Sequence, residues 1–469
     1  MPSQKNILLL YAEAACHTGT VELHVNSFKQ YSRYNIVKLD SHVAGQMDLD
    51  VTLFDAIVFH YSIVISLPQY VNDSLAGKIS AFNGPKILFI QDEFRWVNRT
   101  MKAAEELGIS VVFTVVNKDV IRKIYNSKYF DNVRFEQTLT GFIPENLLEH
   151  KVPDYNNRTI DIGYRARKLP GWCGSFAIQK WQIGAKVLAD ARKHDLRCDI
   201  AMSEASRIYG DSWIQFMCSC RATLGTESGA SFVDFTGLVH QEIDQYEAAN
   251  PDASFEEVRD RFLEGRDGEI VIHVISPRIF EAAALRVLMV LYPGTYSGVL
   301  KPGRHYVELL PDHSNMDEVV AILRDPEEAG AIIQRAYDEV ACSSEWTHES
   351  FIGHFDCVAG QEFKKYAYTG QNRQVIETVN QHIKQLEKSV LPSAEHARKL
   401  AALESVGAKG AKKLRLRMWL ANWLNRSRNL AGNLIDRFLP SFLSRPILRF
   451  SHSAAHRIKP IIKKVLLKY

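Results

Sequence analysis

The chain has 469 residues, of which 46% are hydrophobic and 24% charged, with a formal net charge of +3. That composition belongs to ordinary globular proteins and excludes a disordered, collagen-like or disulfide-dense scaffold, and the length fits two to four domains. The seven cysteines (Cys16, Cys173, Cys198, Cys218, Cys220, Cys342 and Cys357) form no paired framework, and no apolar run reaches bilayer length, so a cytoplasmic protein with reduced thiols is expected.

The first 150 residues alternate strand and helix signals. "NILLLYAEA" (6–14) predicts a strand that ends in a small-residue loop; its apolar run is too short and too strand-like for a leader peptide. Helical spacing follows at 20–33 and a strand at 34–40. Continuous apolar runs at 55–66 and 85–93 end in polar residues. A helix at 98–108 closes on Gly108, and a strand at 110–117 leads into a helix at 118–126. Apolar strands without alternation, separated by helices, predict a parallel sheet covered on both faces. Polar and proline residues at 150–158 read as a linker, after which the pattern restarts. Strands are expected at 159–167 and 197–202, an amphipathic helix at 175–195, and a helix, short strand and Gly loop across 212–229. Charged helix covers 236–266. Residues 269–294 read as strand or loop, helix, strand, and 315–340 as two helices.

The expected fold class is therefore α/β, with two Rossmann-like, doubly wound parallel-sheet domains facing across a cleft. An acceptor domain is assigned to 1–152 and a donor domain to 153–345. A helical segment (346–408) packs back on the body and a basic amphipathic tail (409–469) follows. Charge is uneven: residues 409–469 hold 15 Lys and Arg against one acid, Asp436, leaving 42 basic and 53 acidic residues in the rest. Leu416, Trp419, Leu420, Trp423, Leu430, Leu434 and Phe438 fall near one helical face, among Lys412, Lys413, Arg415, Arg426, Arg428 and Arg437. A Trp–Leu stripe flanked by cations fits an anionic membrane surface, and the apolar share argues against nucleic acid as its partner. Attachment to the inner face of the plasma membrane, with no nucleic-acid partner, is the expectation.

The stretch "SPRIFEAAALRVLMVLYPGTYSGVLKPGRHYVELLPD" (276–312) resembles the donor-binding segment of bacterial GT-B glycosyltransferases of the retaining, GT4-like kind. "RTIDIGYRARKLPG" (158–171) is similar to the start of their second domain, and "SCRATLGTESGASFVDFTG" (219–237) to a loop of polysaccharide-cluster members. The resemblance spans about residues 1–390. It implies sugar transfer from a UDP- or GDP-sugar to a glycan or lipid-linked acceptor in surface glycan synthesis, with retention and without an essential cofactor or metal. The family pattern has two glutamates eight positions apart; Glu281 takes the second place and His273 stands at the first. A non-catalytic protein with this fold is the alternative that His273 keeps open.

Physical reasoning places the donor. Ser276 is a candidate N-cap and Pro277 a candidate first helical residue, so free N–H groups and the helix dipole would face a diphosphate. Arg278 follows in that first turn. Glu281, one turn in, suits a ribose diol because a carboxylate accepts two hydrogen bonds; the alternative is a surface helix residue. Arg165 and Arg167, at the carboxyl end of a strand, are expected beside the leaving diphosphate, whose charge grows in the transition state; the alternative is a solvated loop. Gly294, Tyr296, Ser297 and Gly298 form a candidate phosphate or sugar loop. The polar loop 226–235, with Glu227, Ser228 and Asp234, is a candidate contact for donor sugar or base. In the first domain, 14–20 is assigned to the acceptor, and His60 and Asp92 are candidate acid–base or orienting groups. Against that, His60 reads more readily as a hydrogen-bonded core histidine and Asp92 as the cap of the next helix.

Overall fold

A computed structural model of the chain describes residues 5–47 and 49–366; the basic tail and most of the 346–408 segment lie outside them. Six strands build the first half: β1 (Asn6–Tyr11), β2 (Asn35–Asp40), β3 (Ala56–Phe59), β4 (Lys86–Ile90), β5 (Val111–Thr114) and β6 (Arg134–Gln137). All pair in parallel, in the order β2-β1-β3-β4-β5-β6. In the second half β7 (Ile160–Arg165), β8 (Cys198–Ala201) and β9 (Cys220–Gly225) precede a short antiparallel hairpin, β10 (Ser228–Ala230) with β11 (Ile272–Val274). β12 (Leu288–Leu291) and β13 (Val307–Glu308) complete a parallel sheet in the order β13-β12-β9-β7-β8.

The two-sheet α/β architecture read from the sequence is the one observed. Every residue of β1, β3, β5 and β12 is buried, as strands covered on both faces require. Each sheet reverses its winding next to its first strand: β1 lies between β2 and β3, and β7 between β8 and β9. At such a reversal the flanking connections leave on opposite faces, and a crevice opens beyond the carboxyl ends of the strands. Helix α1 (Gly19–Tyr31) follows β1, α2 (Gly174–Ala191) follows β7, α3 (Asp211–Ser219) precedes β9, and α4 (Pro277–Ala284) precedes β12.

Several boundaries differ from the sequence expectation. The apolar run 55–66 is strand only over Ala56–Phe59: His60 N–H still donates to Leu10, then Ile63 N–H turns back onto the His60 carbonyl. The charged region 236–266 is not one helix but Leu238–Ala249, Phe255–Val258 and a wide turn at Arg259–Leu263. It is an insertion between the two hairpin strands, packed on its own core of Trp172, Cys173, Ala177, Phe232, Ile243, Val258 and Leu263.

Two features tie the halves together. Helix α5 (His348–Phe363) returns to the first sheet, placing Phe351, Ile352, Phe355 and Val358 in one core with Leu9, Phe28, Phe89 and Phe113. On the other side the loop after β4 clasps the insertion. Asp234 N–H donates to the Phe94 carbonyl (2.8 Å), and Asn98 N–H to that of Phe235 (2.9 Å). Trp96, in a left-handed conformation (φ 53°), stacks on His240 (ring centroids 5.4 Å apart, 10° between planes), which stacks in turn on Trp172 (4.2 Å). The Arg95 and Arg99 guanidinium groups sit over the indole of Trp96 at 4.7 and 4.4 Å.

Candidate active site

The winding reversals of both sheets open onto one cleft, a cavity of about 460 Å³. One wall comes from the first half: Thr18, Gly19, Thr20 and Leu23 at the start of α1, with Pro144, Asn146 and Leu147. The other wall comes from the second half: residues just beyond β7, the segment before α3, and the start of α4. A narrow recess continues between the ends of β7 and β9 and shares Lys180, Trp213, Ser276 and Arg278 with the main cavity.

Five of the expected donor residues converge here: Arg165, Arg167, Ser276, Arg278 and Glu281 all line the cavity. Pro277 starts α4, and the Ser276 hydroxyl makes no capping bond with it, so this polar helix start faces the cavity. Arg278 donates to the Arg165 carbonyl and lies over the Trp213 ring at 5.1 Å. Glu281 Oε2 accepts from the Trp213 indole N–H (2.9 Å), and Oε1 has no partner among the described residues. Burial raises the Glu281 pKa, opposed by the indole hydrogen bond and by Arg278. Arg165 is committed elsewhere: it bonds the Asp199 carboxylate (2.9 Å) and carbonyl (2.8 Å), and stacks on Phe216 at 4.1 Å.

Lys180 is the residue that sequence reasoning missed. It sits on α2 within a stretch that reads simply as amphipathic, and it reaches the recess between Arg278 and Ser228. Its ammonium donates to Ser228 Oγ at 2.7 Å. No carboxylate pairs with it among the described residues. Burial, then the neighbouring Arg278 and Arg167, lower its pKa to about 8. An ammonium held in this way is poised to gain an anion. Arg207 and Tyr209 were also missed, because the loop before α3 has no periodicity to place it, and Trp213 because within α3 it reads as an ordinary apolar helix residue.

The Gly loop does not line the cavity. Tyr296 is fully buried; its N–H and the Thr295 hydroxyl both donate to Glu227 Oε1, at 2.6 and 3.0 Å. Gly294 lies against the same carboxylate, where a Cβ would come within 2.8 Å of it. Ser297 Oγ accepts the Ile275 N–H (3.1 Å), and Gly298 takes a positive φ of 80°. The loop therefore supports the chain entering α4 from behind. Glu227 also meets His273 at 3.5 Å, so the position where the family pattern has glutamate carries an imidazole paired to a carboxylate from another loop. The His273 pKa is raised by that hydrogen bond, and Asn117 of the first half bonds its other ring nitrogen (3.0 Å).

In the first half, Thr18, Gly19 and Thr20 of the 14–20 segment reach the cleft, but His60 and Asp92 do not line it. His60 is fully buried, bonded to His24 Nδ1 and Ser62 Oγ (both 2.9 Å), and burial depresses its pKa to about 3. It is a neutral core imidazole, since no compensating charge reaches it. Asp92 is exposed, 4.0 Å from Arg95. The neighbouring Glu93 is the buried one: Thr114 and Tyr125 hydroxyls donate to its Oε1 (2.6 and 2.5 Å), Oε2 is unpartnered, and burial raises its pKa to about 7.

No protein-family model and no curated protein matches this sequence. Among solved structures, the chain is similar to an α-glucosyltransferase in complex with UDP-glucose and DNA containing an abasic site, at 10% identity and TM-score 0.46; the match covers 76% of this chain and 100% of the other. Alr3699/HepE of Anabaena, in complex with UDP-glucose, matches at 11% identity and TM-score 0.42 over 77% and 100% of the two chains. BGT of phage T4, in complex with its UDP-glucose substrate, matches at 11% identity and TM-score 0.38 over 77% and 98%. These likenesses concern the fold alone. They do require one correction: an α-glucosyltransferase appears again with a 13-mer DNA, so the exclusion of nucleic acid as a partner is withdrawn.

Proposed function

We propose that the protein is a glycosyltransferase of GT4-like type, moving a sugar from a UDP- or GDP-sugar to a polysaccharide or lipid-linked acceptor with retention. The observation that carries this reading is the convergence of Lys180, Arg278 and the Ser276 end of α4 at the carboxyl ends of β7 and β9. Two cations and a helix start there suit a diphosphate, and the unpartnered Oε1 of Glu281 suits a ribose hydroxyl. The acceptor enters along the start of α1. Retention is carried over from the resemblance of residues 276–312 to the retaining, GT4-like enzymes. In such a reaction the acceptor oxygen bonds the anomeric carbon as the sugar–phosphate bond breaks, and the acceptor proton passes to the departing phosphate oxygen. The composition of residues 409–469 supports peripheral attachment to the inner face of a bacterial membrane and a role in surface glycan synthesis.

A nucleotide-release assay tests the reading. The full chain is offered UDP-, GDP-, dTDP- and CMP-sugars with membrane extract as acceptor, alongside Glu281→Ala. Release of UDP or GDP that depends on extract and falls at least tenfold in the variant is expected. Failure of every donor to bind would refute the proposal.

A further inference from the structure

We infer that the mouth of the cleft is built for an anionic saccharide, so that the acceptor carries a carboxylate or phosphate near the hydroxyl that is glycosylated. This inference rests on the donor assignment above. Five cationic side chains line the cavity (Arg165, Arg167, Lys180, Arg207 and Arg278) against two carboxylates, Asp211 and Glu281. They differ in what already satisfies them. Arg165 is neutralised by Asp199, and Arg207 by Glu204 at 2.7 Å. Lys180 and Arg278 hold the inner recess, where a donor diphosphate would take up both charges. Arg167 is left over. It is exposed and has no hydrogen-bond or ion-pair partner among the described residues.

Arg167 also stands in the right place for an acceptor. It lines the same cavity as Lys180 of the donor recess and Arg207 of the mouth. Tyr209, 43% exposed, also lines the cavity, with the Arg207 guanidinium at 5.1 Å from its ring. The His17 ring of the first half approaches Tyr209 at 6.0 Å, so the mouth is bridged from both walls. The opposite wall presents the Thr18 and Thr20 hydroxyls, the Asn146 amide, Pro144, Leu147 and Leu23, which is 37% exposed. One free cation, one exposed aromatic ring and a neutral hydroxyl-bearing wall fit a sugar bearing one negative group. A neutral sugar would leave the cation without use.

The test uses the full chain saturated with UDP. Binding is measured to uronic-acid-bearing and phosphorylated oligosaccharides, each paired with its neutral counterpart, and to a single-stranded DNA 13-mer. The wild type should prefer the charged member of a pair by on the order of tenfold to a hundredfold, as a charge-assisted hydrogen bond requires. Arg167→Ala should abolish that preference and Arg167→Lys should retain most of it. Equal binding of neutral partners, binding of no saccharide, preference for the DNA, or a preference for the charged member that persists in Arg167→Ala would each overturn the inference. A wild type that binds no nucleotide at all would instead overturn the donor reading beneath it.

Discussion

Lys180 gives the sharpest quantitative test of the donor site. Its ammonium has one neutral partner, Ser228 Oγ, and a pKa lowered to about 8 by burial and by Arg278 and Arg167. A hydrogen bond from a charged group to a diphosphate oxygen is worth about 1.5–3 kcal/mol, so Lys180→Ala should weaken UDP or GDP binding roughly 10- to 150-fold at pH 7. The pH dependence is more specific. The cationic form binds the anion, and it is the form present below the pKa. From pH 7 to pH 9 the cationic fraction in the free protein falls from about 0.9 to about 0.1, so affinity should drop about tenfold over that range. Lys180→Arg keeps a charge at every accessible pH and should show a flat profile. Isothermal titration calorimetry of the full chain at pH 7, 8 and 9 measures all three proteins. An unchanged affinity in Lys180→Ala, or the same pH slope in Lys180→Arg, would refute the assignment.

Three further outcomes follow from the packing. Glu93 has its pKa raised from 4.5 to about 7, so the folded state holds a proton that the unfolded state has lost between those values; stability should fall as pH rises through that window, by up to about 3 kcal/mol at pH 8. Glu93→Gln should remove this dependence in urea denaturation at pH 5 and 8, and an unchanged slope would show that the carboxyl ionises freely. Phe355→Ala empties a fully buried site among Phe28, Phe89 and Phe113 and should cost about 3–5 kcal/mol; a loss below 1 kcal/mol would mean that α5 is not part of the first core. Gly237 has φ 81°, and a Cβ there would meet Trp96 Cδ1 at 2.2 Å, so Gly237→Ala should destabilise by about 1–3 kcal/mol. In the Trp96→Ala background the steric part should vanish, and strict additivity of the two changes would speak against the clasp.

The parallel sheets were legible because a strand covered on both faces writes a continuous apolar run, as "NILLLY" and "LMVL" do. β6 was not, because it is an edge strand whose Arg134 and Glu136 bond each other (2.6 Å) and reach α5, so its sequence lacks that run. The hairpin β10–β11 was hidden for another reason. Its strands are three residues each, and the insertion separates them by more than forty positions, so no local turn signal marks the pairing. The return of α5 to the first sheet is likewise a long-range event: Phe355 and Phe28 look apolar in any window, but nothing local says that they share a core.

The site divides along the same physical line. Ser276, Pro277, Arg278 and Glu281 could be read because a helix start is a local pattern, and the direction it presents follows from helix geometry. Arg165 and Arg167 show where that reasoning stops. Alternation places both on one side of the strand end, yet Asp199 on β8 takes the first and leaves the second free. The choice depends on a carboxylate thirty-four positions away, which no pattern around the strand contains. Lys180 poses the converse problem: on α2 it reads as the polar edge of an amphipathic stripe, and only the fold turns it toward Ser228 and the recess. His60 carried two readings, of which the core histidine is the one that His24 and Ser62 close around. Sequence periodicity therefore locates the strand and helix ends where chemistry can occur. Which charges there remain unspent is decided by partners brought in from distant segments, and in this cleft the unspent ones are Lys180, Arg278 and Arg167.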